Sequence, residues 1–426
     1  MQKKQNAFYT FLNRKYADDQ KISFAIAMSI FYFLIINTPE AIWGAFLPGG
    51  LIIKGICCAA AALMSLPGVI VACNRNFKVL LIMLSIFAVG CIWTAVCFPA
   101  IDAKLLLSMM TEFTVFGAAA FTLALSIEDF GEMWKVLKDL SYWMAALGII
   151  YYLCVLHPDD EYSMSFSMVV FIPMVVLVMN FLETHHWYDI VLALMLLIAV
   201  FTRGSRGVLL CLFVAIALVF FSWLFSNKVR NKMSKWLYVT IVIGIFVGIA
   251  LFFINIKSVL TGVGIVLEKL GMDGRTVELF SKGDIFHMSG RNFIADAVIG
   301  DISNDIFAPH GIYGTGLTTG IFMQSGMGDG LYAHNIFLEL VHTFGIVGGG
   351  IFSVSIIVLI VIGFIKAKEK YERNIIILFF SLGFVLLLLS DILWKANTLW
   401  ILLGLCCAII KIRKRKTKSM IEKEIK

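Results

Sequence analysis

Long apolar runs separated by short polar segments make up most of the chain. An α-helix needs about 20 mostly apolar residues to cross the hydrocarbon core of a bilayer, and the pattern predicts twelve such helices. Their approximate ranges are 22–38, 51–73, 78–98, 103–127, 134–156, 162–183, 187–202, 206–225, 236–257, 334–366, 374–390 and 393–411. The pattern therefore predicts an all-α polytopic membrane protein.

The polar segments between these runs fall into two alternating sets according to their content of Lys and Arg. The basic set comprises the amino terminus, 74–78, the segment with Lys135 and Lys138, 226–235, 366–373 and the tail from Lys411. The other set, which includes 37–50 and the acidic segment 157–162, holds few cations. Because cytoplasmic loops are the ones enriched in Lys and Arg, we expect both termini in the cytoplasm. Residues 1–21 contain no small-residue cleavage site, so the first run is expected to be an uncleaved span.

Composition excludes an ordinary soluble domain. Hydrophobic residues make up 60% of the 426 positions and charged residues only 15%, whereas about a quarter of the residues in a soluble domain are charged. We interpret the net charge of +7 as a consequence of topology rather than as affinity for nucleic acid. The nine cysteines lie in or beside apolar runs without repeated spacing, which argues against a disulfide framework and a zinc site.

The runs divide the chain into four parts. Residues 1–257 hold the first nine predicted helices, 334–411 hold the last three, and 412–426 form a basic cytoplasmic tail. Between them lies a polar loop, 258–333, which the alternation places on the outer, non-cytoplasmic face. Loops of this length are uncommon unless they are functional, and we expect one or two short helices within it.

Two arginines occur on the outer face, against the positive-inside trend. Arg203 and Arg206 lie in the sequence TRGSRG at the start of the eighth predicted helix. Guanidinium groups beside the free amides of a helix N-terminus suit a phosphate or diphosphate. An anchor to lipid phosphate, or a tight turn between helices, fits the same sequence.

Another arginine, Arg291, lies in the outer loop after Ser289 and Gly290. Ser289 has the character of a helix cap, which would place Arg291 in the first turn of a short helix. The apolar residues that follow at helical spacing are Phe293, Ile294, Ala297 and Val298, and we expect them to rest on the bundle. Pairing of Arg291 with Asp296 is an equally simple interpretation of the spacing.

Several polar residues share one face at the start of the tenth predicted helix. His334 and Asn335 lie at its outer boundary, and Asn335, Glu339 and His342 follow at positions i, i+4 and i+7. Polar groups at such depth usually face a cavity or a partner. A histidine at a helix start is also commonly a cap or a core residue with its hydrogen bonds satisfied.

Glu112 lies near the middle of the fourth predicted helix and needs a cation or strong donors there. Arg203 or Arg206 is the candidate partner, in a pairing that would orient an arginine.

No Walker A loop, HExxH, CxxC or Asp-x-Asp motif occurs in the chain, so we expect no metal and no cofactor.

The order of these features resembles that of the bacterial O-antigen ligase and O-antigen polymerase superfamily. The resemblance rests on Thr202 to Gly207, Ser289-Gly-Arg291, Gly314-x-Gly316, and His334-Asn335 followed by Phe344-Gly-Ile-Val-Gly-Gly. It covers roughly the second half of the chain. It implies a helical bundle like those of lipid-linked-sugar glycosyltransferases, in the bacterial cytoplasmic membrane, with a large outer loop.

The resemblance also implies a reaction. The family's substrate is an oligosaccharide on undecaprenyl diphosphate, which is transferred without a metal to an acceptor hydroxyl. Carried over by position, Arg206 and Arg291 resemble the essential arginines, with Arg203 beside them, and His334 resembles the essential histidine. The arginines would neutralise the diphosphate leaving group, and His334 would act as general base. Asn335 and Glu339 could orient it.

Four functions remain open at the sequence level. The leading hypothesis is a polysaccharide polymerase that joins lipid-linked repeat units, with membrane lipids and other polysaccharide assembly proteins as its partners. An O-antigen ligase uses the same donor but transfers the glycan to lipid A core. A flippase or another transporter is the alternative from a different class, although carriers often show internal repeats and none is visible here. A scaffold without chemistry would leave Glu112, Glu339 and the outer arginines unexplained.

Overall fold

The computed structural model describes residues 18–98, 103–155, 163–203, 206–224, 254–269, 275–283, 291–312, 333–389 and 392–424, together with 240 and 244. These residues are almost entirely helical, and no strand occurs among them, which confirms the predicted all-α class for this part of the chain. Outside them lie Ser289, the Gly314-x-Gly316 turn, residues 1–17 and most of the predicted span 236–257.

Fourteen α-helices are labelled here in chain order. They are α1 (Asp18–Phe46), α2 (Gly50–Cys97), α3 (Ala103–Glu112), α4 (Ala119–Leu125), α5 (Phe130–Cys154), α6 (Met164–Thr184), α7 (Trp187–Arg203), α8 (Arg206–Leu224), α9 (Ile256–Lys269), α10 (Arg275–Ser281), α11 (Arg291–Asn304), α12 (Ile336–Lys366), α13 (Lys370–Phe379) and α14 (Asn397–Glu424). π-Helical turns at Phe113–Ala118 and Phe380–Val385 continue α3 and α13, and a 3₁₀ turn at Leu393–Lys395 precedes α14.

Several helices have the length and composition of membrane spans. Within the described residues, five segments are long and apolar enough to cross a bilayer: Asp18–Gly44, Gly50–Cys97, Ala103–Leu125, Met164–Thr184 and Ile336–Lys366. Shorter apolar helices cover Trp187–Thr202 and Arg206–Ser222. The chain is therefore a membrane-embedded helical protein, whereas the count of twelve spans stays a prediction.

Two compact units make up the chain. The first comprises Met1–Leu140 and Arg291–Lys426, and the second comprises Ser141–Gly290. In the first unit α1 packs along α2, α4 packs against α14, and α11 packs against α12. Gly68 of α2 lies so close to α1 that a methyl group added there would stand 2.2 Å from the carbonyl oxygen of Lys21.

Helix α2 contains the two predicted spans 51–73 and 78–98 as one helix with a kink. The kink lies at Asn76, where φ is −140° and ψ is 30°. This residue falls inside the basic turn that the sequence predicted at 74–78. The two predicted helices therefore meet where the sequence placed their boundary, at one non-helical residue instead of a longer loop.

A buried carboxylate holds this kink against the start of α1. Asp19 is only 6% exposed and accepts a hydrogen bond of 2.6 Å from the Nη1 atom of Arg75. The backbone N–H groups of Glu128 and Asp129 also donate to Asp19, and Arg75 donates to the carbonyl oxygen of Ser126 at 2.7 Å. Buried charges are tolerated when they are paired and hydrogen-bonded in this way.

The basic tail continues the last helix. α14 begins at Asn397, within the predicted span 393–411, and continues through the predicted tail as far as Glu424. Lys, Arg and Glu favour helix, so the polar composition of the tail does not interrupt the hydrogen-bond ladder. Arg413 of this helix binds Glu372 at the start of α13, and Arg415 donates to Glu128 at 2.8 Å.

The second unit contains helices α6 to α10. α6 packs against α7 and α8, and α9 packs against α10. Asp189 is fully buried and accepts hydrogen bonds of 2.6 Å from the hydroxyl group of Tyr142 and from the amide group of Asn180. The predicted outer loop, 258–333, contains most of α9 and all of α10 and α11. In the described part of this segment three helices occur where one or two were expected.

Candidate functional site

The first candidate residue, His334, immediately precedes α12. It has a φ of 54° in the left-handed region that side-chain-bearing residues rarely adopt. Among the described residues other than glycine, only His185 also has a positive φ. His334 is half-buried. Unusual backbone geometry of this kind is often found at functional sites.

Asn335 is the N-cap of α12. Its Oδ1 atom accepts hydrogen bonds from the backbone N–H groups of Phe337 at 2.9 Å and Leu338 at 3.2 Å. Its amide group donates to the carbonyl oxygen of Leu388 at 3.4 Å. Asn is among the preferred N-caps because its oxygen reaches amides that have no partner within the helix. The cap fixes where the helix begins and thereby where His334 lies.

Glu339 and His342 are the next polar residues of α12, and both are buried. The Oε2 atom of Glu339 accepts a hydrogen bond of 3.2 Å from the backbone N–H of Leu393. The Nε2 atom of His342 lies 2.8 Å from the Oδ2 atom of Asp301 in α11. The polar face predicted from the sequence therefore meets partners from two different segments of the first unit.

A third side chain joins the pair formed by His342 and Asp301. The Nε2 atom of His310 lies 3.3 Å from the same carboxylate oxygen of Asp301. The imidazole rings of His310 and His342 are stacked, with centroids 4.2 Å apart and planes inclined by 18°. One potential ligand atom from each of the three residues lies within 4.8 Å of the others. We call Asp301, His310 and His342 the histidine–aspartate cluster.

The cluster lies beside a break in α12. Gly345 has a φ of 70° and a ψ of 170° inside the helix, a combination essentially restricted to glycine. At this point the backbone of residues 306–311 forms hydrogen bonds with the backbone of the helix. The backbone N–H of Ile346 donates to the carbonyl oxygen of Ile306 at 3.0 Å. The backbone N–H of His310 donates to the carbonyl oxygen of His342, also at 3.0 Å. The inserted segment thus replaces hydrogen bonds that the break removes, as buried backbone groups require.

The inserted segment also contacts α2. The backbone N–H of Ile312 donates to the Oγ1 atom of Thr94 at 3.0 Å. Gly311 has a φ of 83°, and a methyl group added there would stand 2.8 Å from the side chain of Thr94. The segment therefore connects α2 to the break in α12, and His310 lies in the middle of this connection.

The structure contains the predicted short helix with Arg291 in its first turn. α11 starts at Arg291, and its apolar positions Ile294, Ala297 and Val298 are buried. α11 packs on α12. The side chain of Arg291 lies outside the described atoms. Because Asp301 belongs to the same helix, the bond between Asp301 and His342 fixes α11 against α12.

The remaining candidates lie elsewhere. Arg203 is the last residue described in α7 and Arg206 is the first described in α8, while residues 204 and 205 lie outside the described residues. Arg206 is half-buried, and the side chain of Arg203 is not described. Glu112 is half-buried at the end of α3, where the π-helical turn begins. It belongs to the first unit and the two arginines to the second, so their pairing stays a prediction.

Two members of the histidine–aspartate cluster had no assigned role in the sequence. Asp301 was one acid among several in the outer loop, and His310 had no interpretable spacing to another ligand. The only signal was the polar face of α12, which pointed to His342 but not to its partners. Two imidazoles and a carboxylate can share a proton or bind a divalent cation.

Comparison of the chain with protein-family models, with curated proteins and with solved structures gave no match.

Proposed function

We propose that the protein is a membrane glycosyltransferase of the outer face, which polymerises glycan repeat units carried on undecaprenyl diphosphate. The observation that carries this proposal is the hydrogen bond between Asp301 and His342. It ties the helix that begins with Arg291 to the helix that His334 precedes. A candidate phosphate ligand and a candidate base are thereby attached to two elements held in a fixed relation.

In the proposed reaction an acceptor hydroxyl attacks the anomeric carbon of the donor sugar. A new carbon–oxygen bond forms while the bond from that carbon to the diphosphate oxygen breaks, and the bonding electrons leave with undecaprenyl diphosphate. Arg206 and Arg291, with Arg203, would bind the diphosphate, because guanidinium groups offer two parallel donors to phosphate oxygens. They would also offset the negative charge that develops as it leaves.

His334 would take the proton of the acceptor hydroxyl. Imidazole is suited to this role because its ordinary pKa lies near neutral pH. Asn335 would support the reaction by fixing the position of His334 through the helix cap. Glu339 would act from further away, through its bond to Leu393, and Glu112 would orient an arginine.

The test is polymerisation by the purified protein in detergent, with a defined undecaprenyl-diphosphate repeat unit and products resolved as a gel ladder. We expect wild type to produce a ladder in the presence of EDTA and Arg206→Ala, Arg291→Ala and His334→Ala to produce none. His186→Ala is the matched control, since His186 is an exposed histidine outside any helix and should leave the ladder intact.

Other outcomes would replace the proposal. Transfer only after addition of a lipid A core acceptor would make the protein a ligase. Movement of labelled lipid-linked glycan across a liposome membrane, without any new glycosidic bond, would make it a carrier. A ladder of wild-type intensity from all three variants would show that the assigned residues take no part in the reaction.

A further inference from the structure

We propose that the histidine–aspartate cluster is a binding site for a divalent transition metal ion of the Zn²⁺ type, which fastens the inserted segment into the break of α12. The site is formed by Asp301 from α11, His310 from the segment and His342 from α12. None of its three ligands is assigned as a base or as a diphosphate ligand in the proposed glycosyl transfer, although the contact between Asp301 and His342 also joins the helix of Arg291 to the helix that His334 precedes.

The hydrogen bonds of His310 define which of its nitrogens can bind a metal. Its Nδ1 atom lies 3.3 Å from the carbonyl oxygen of His342. A carbonyl oxygen only accepts hydrogen bonds, so Nδ1 carries the proton and donates. In neutral His310 the lone pair is therefore on Nε2. Metal-ligating histidines typically show this arrangement, with the second ring nitrogen donating to a carbonyl or carboxylate.

This tautomer makes the contact between His310 and Asp301 unfavourable unless a cation is present. Nε2 of neutral His310 is an acceptor, and it lies 3.3 Å from Oδ2 of Asp301, which is also an acceptor. Two lone pairs that face each other are repulsive. A metal ion between the atoms would bind both, and a proton on Nε2 is the only simpler alternative.

The distances suit a tetrahedral ion. Zn²⁺ binds imidazole nitrogen and carboxylate oxygen at about 2.0–2.2 Å, so two ligand atoms in a tetrahedral site lie on the order of 3.3 Å apart. The contacts from Oδ2 of Asp301 to the two Nε2 atoms are 2.8 and 3.3 Å. The three ligand atoms lie within 4.8 Å of one another, and the stacked rings of His310 and His342 would turn their Nε2 atoms toward the ion as it binds. A water molecule would supply the fourth ligand, as in other sites with three protein ligands.

The three side chains of the cluster differ in their exposure to solvent. The side chain of His342 is fully buried, whereas those of His310 and Asp301 are 23% and 29% exposed. The ion can thus enter past His310 and Asp301 and meet a fixed ligand at the bottom. Imidazole ligands favour Zn²⁺, Cu²⁺ and Ni²⁺ over Mg²⁺ and Ca²⁺, which prefer oxygen.

A bound ion would join three segments that are distant in the sequence. Without it, the insertion rests on backbone hydrogen bonds such as those from His310 to His342 and from Gly311 to Thr343. Metal ligation would add a cross-link at the position where the helix is broken. We therefore expect the metal to protect residues 306–312 and 342–346 from hydrogen exchange.

The experiment uses the full-length protein, purified in detergent without a polyhistidine tag and stripped with EDTA that is then removed. Zn²⁺ binding is measured by competition with a chromogenic chelator, and Co²⁺ is added separately to record the visible spectrum of a tetrahedral site. Wild type should bind about one ion per chain. His310→Ala should weaken binding at least about 30-fold, since loss of a supporting residue alone costs 10- to 100-fold.

Asp301→Asn and His342→Gln should lose binding as well, while His186→Ala should bind like wild type. Because the side chain of His310 is 23% exposed and lies outside the helices, its variant should fold even if the two others do not. Hydrogen exchange should show zinc-dependent protection of 306–312 in wild type and His186→Ala but not in His310→Ala.

Two results would overturn the proposal. One is a wild-type protein that binds no Zn²⁺ at concentrations up to about 100 µM, in which case a proton fills the site. The other is undiminished binding by His310→Ala, which would place any bound ion elsewhere. Neither result would affect the glycan ladder, so the failure of this site and the failure of the proposed function are distinguishable.

Discussion

The break in α12 predicts that Gly345→Ala will be far more disruptive than an ordinary glycine substitution within a helix. Gly345 has a φ of 70° and a ψ of 170°, and a Cβ atom there would stand 2.4 Å from the carbonyl oxygen of Phe307. That oxygen belongs to the backbone, so it cannot rotate away as a flexible side chain would. The inserted segment must move if alanine is to fit.

The cost has two parts. A residue other than glycine in this region of backbone space costs about 1–3 kcal/mol. Displacement of the segment also weakens three backbone hydrogen bonds between the segment and α12. They run from the N–H groups of Ile346, His310 and Gly311 to the carbonyl oxygens of Ile306, His342 and Thr343, respectively. Each of these contributes about 0.5–1.5 kcal/mol. The sum is about 1.5 kcal/mol if one bond is lost and about 7.5 kcal/mol at most if all three are lost.

Hydrogen exchange with detection by mass spectrometry measures this effect locally. A loss of about 2 kcal/mol corresponds to roughly thirty-fold faster exchange, which should appear in peptides covering 306–312 and 342–346. The apparent Tm in detergent should fall by roughly 5 °C. Gly350→Ala is the matched control on the same helix, because a methyl group there meets no described atom within 4 Å and alanine favours helix.

The reasoning would be refuted if Gly345→Ala and Gly350→Ala had the same exchange rates and the same Tm. That result would mean that α12 is continuous in solution and that the inserted segment does not fill a break. Faster exchange confined to the carboxyl half of α12 would contradict the reasoning too, since the affected amides adjoin residue 345.

Three further substitutions test other parts of the fold by thermal unfolding. Arg75→Ala leaves the buried carboxylate of Asp19 without its cation and should cost about 3–5 kcal/mol, measured as a fall in Tm. Asn335→Ala removes the cap of α12 and should cost about 1 kcal/mol, and its serine counterpart should restore both Tm and polymerisation if the residue acts only as a cap. Gly68→Ala should separate α1 from α2 and lower Tm by several degrees, whereas Gly55→Ala, where a methyl group meets no described atom within 4 Å, should not.

Local signals in the sequence were sufficient to predict several helix ends. α7 ends and α8 begins within the sequence TRGSRG, and Arg291 lies in the first turn of α11, as the sequence predicted. The basic turn at 74–78 contains the kink at Asn76. Each of these features depends on residues within a few positions of one another, which is the range over which propensity and periodicity act.

The break at Gly345 could not be predicted in the same way. Phe344 to Gly350 contains four glycines, and each of them can adopt helical or left-handed geometry. Which one breaks the helix depends on the segment 306–311, which supplies the replacement hydrogen bonds from far away in the sequence. The histidine–aspartate cluster depends on the same insertion, since His310 reaches His342 only through it. The hydropathy pattern did not predict the π-helical turn at Phe113–Ala118 either.

The partners of the polar face of α12 bear on the choice between an enzyme and a carrier. In carriers, polar groups within spans line a path for the substrate, and broken helices leave their ends open to it. Here Glu339 accepts a backbone N–H from Leu393, His342 binds Asp301, and the segment 306–311 closes the break. These groups join helices to one another instead of facing a path. That arrangement favours a rigid junction that holds Arg291 and His334 in position, as a glycosyltransferase of the outer face requires.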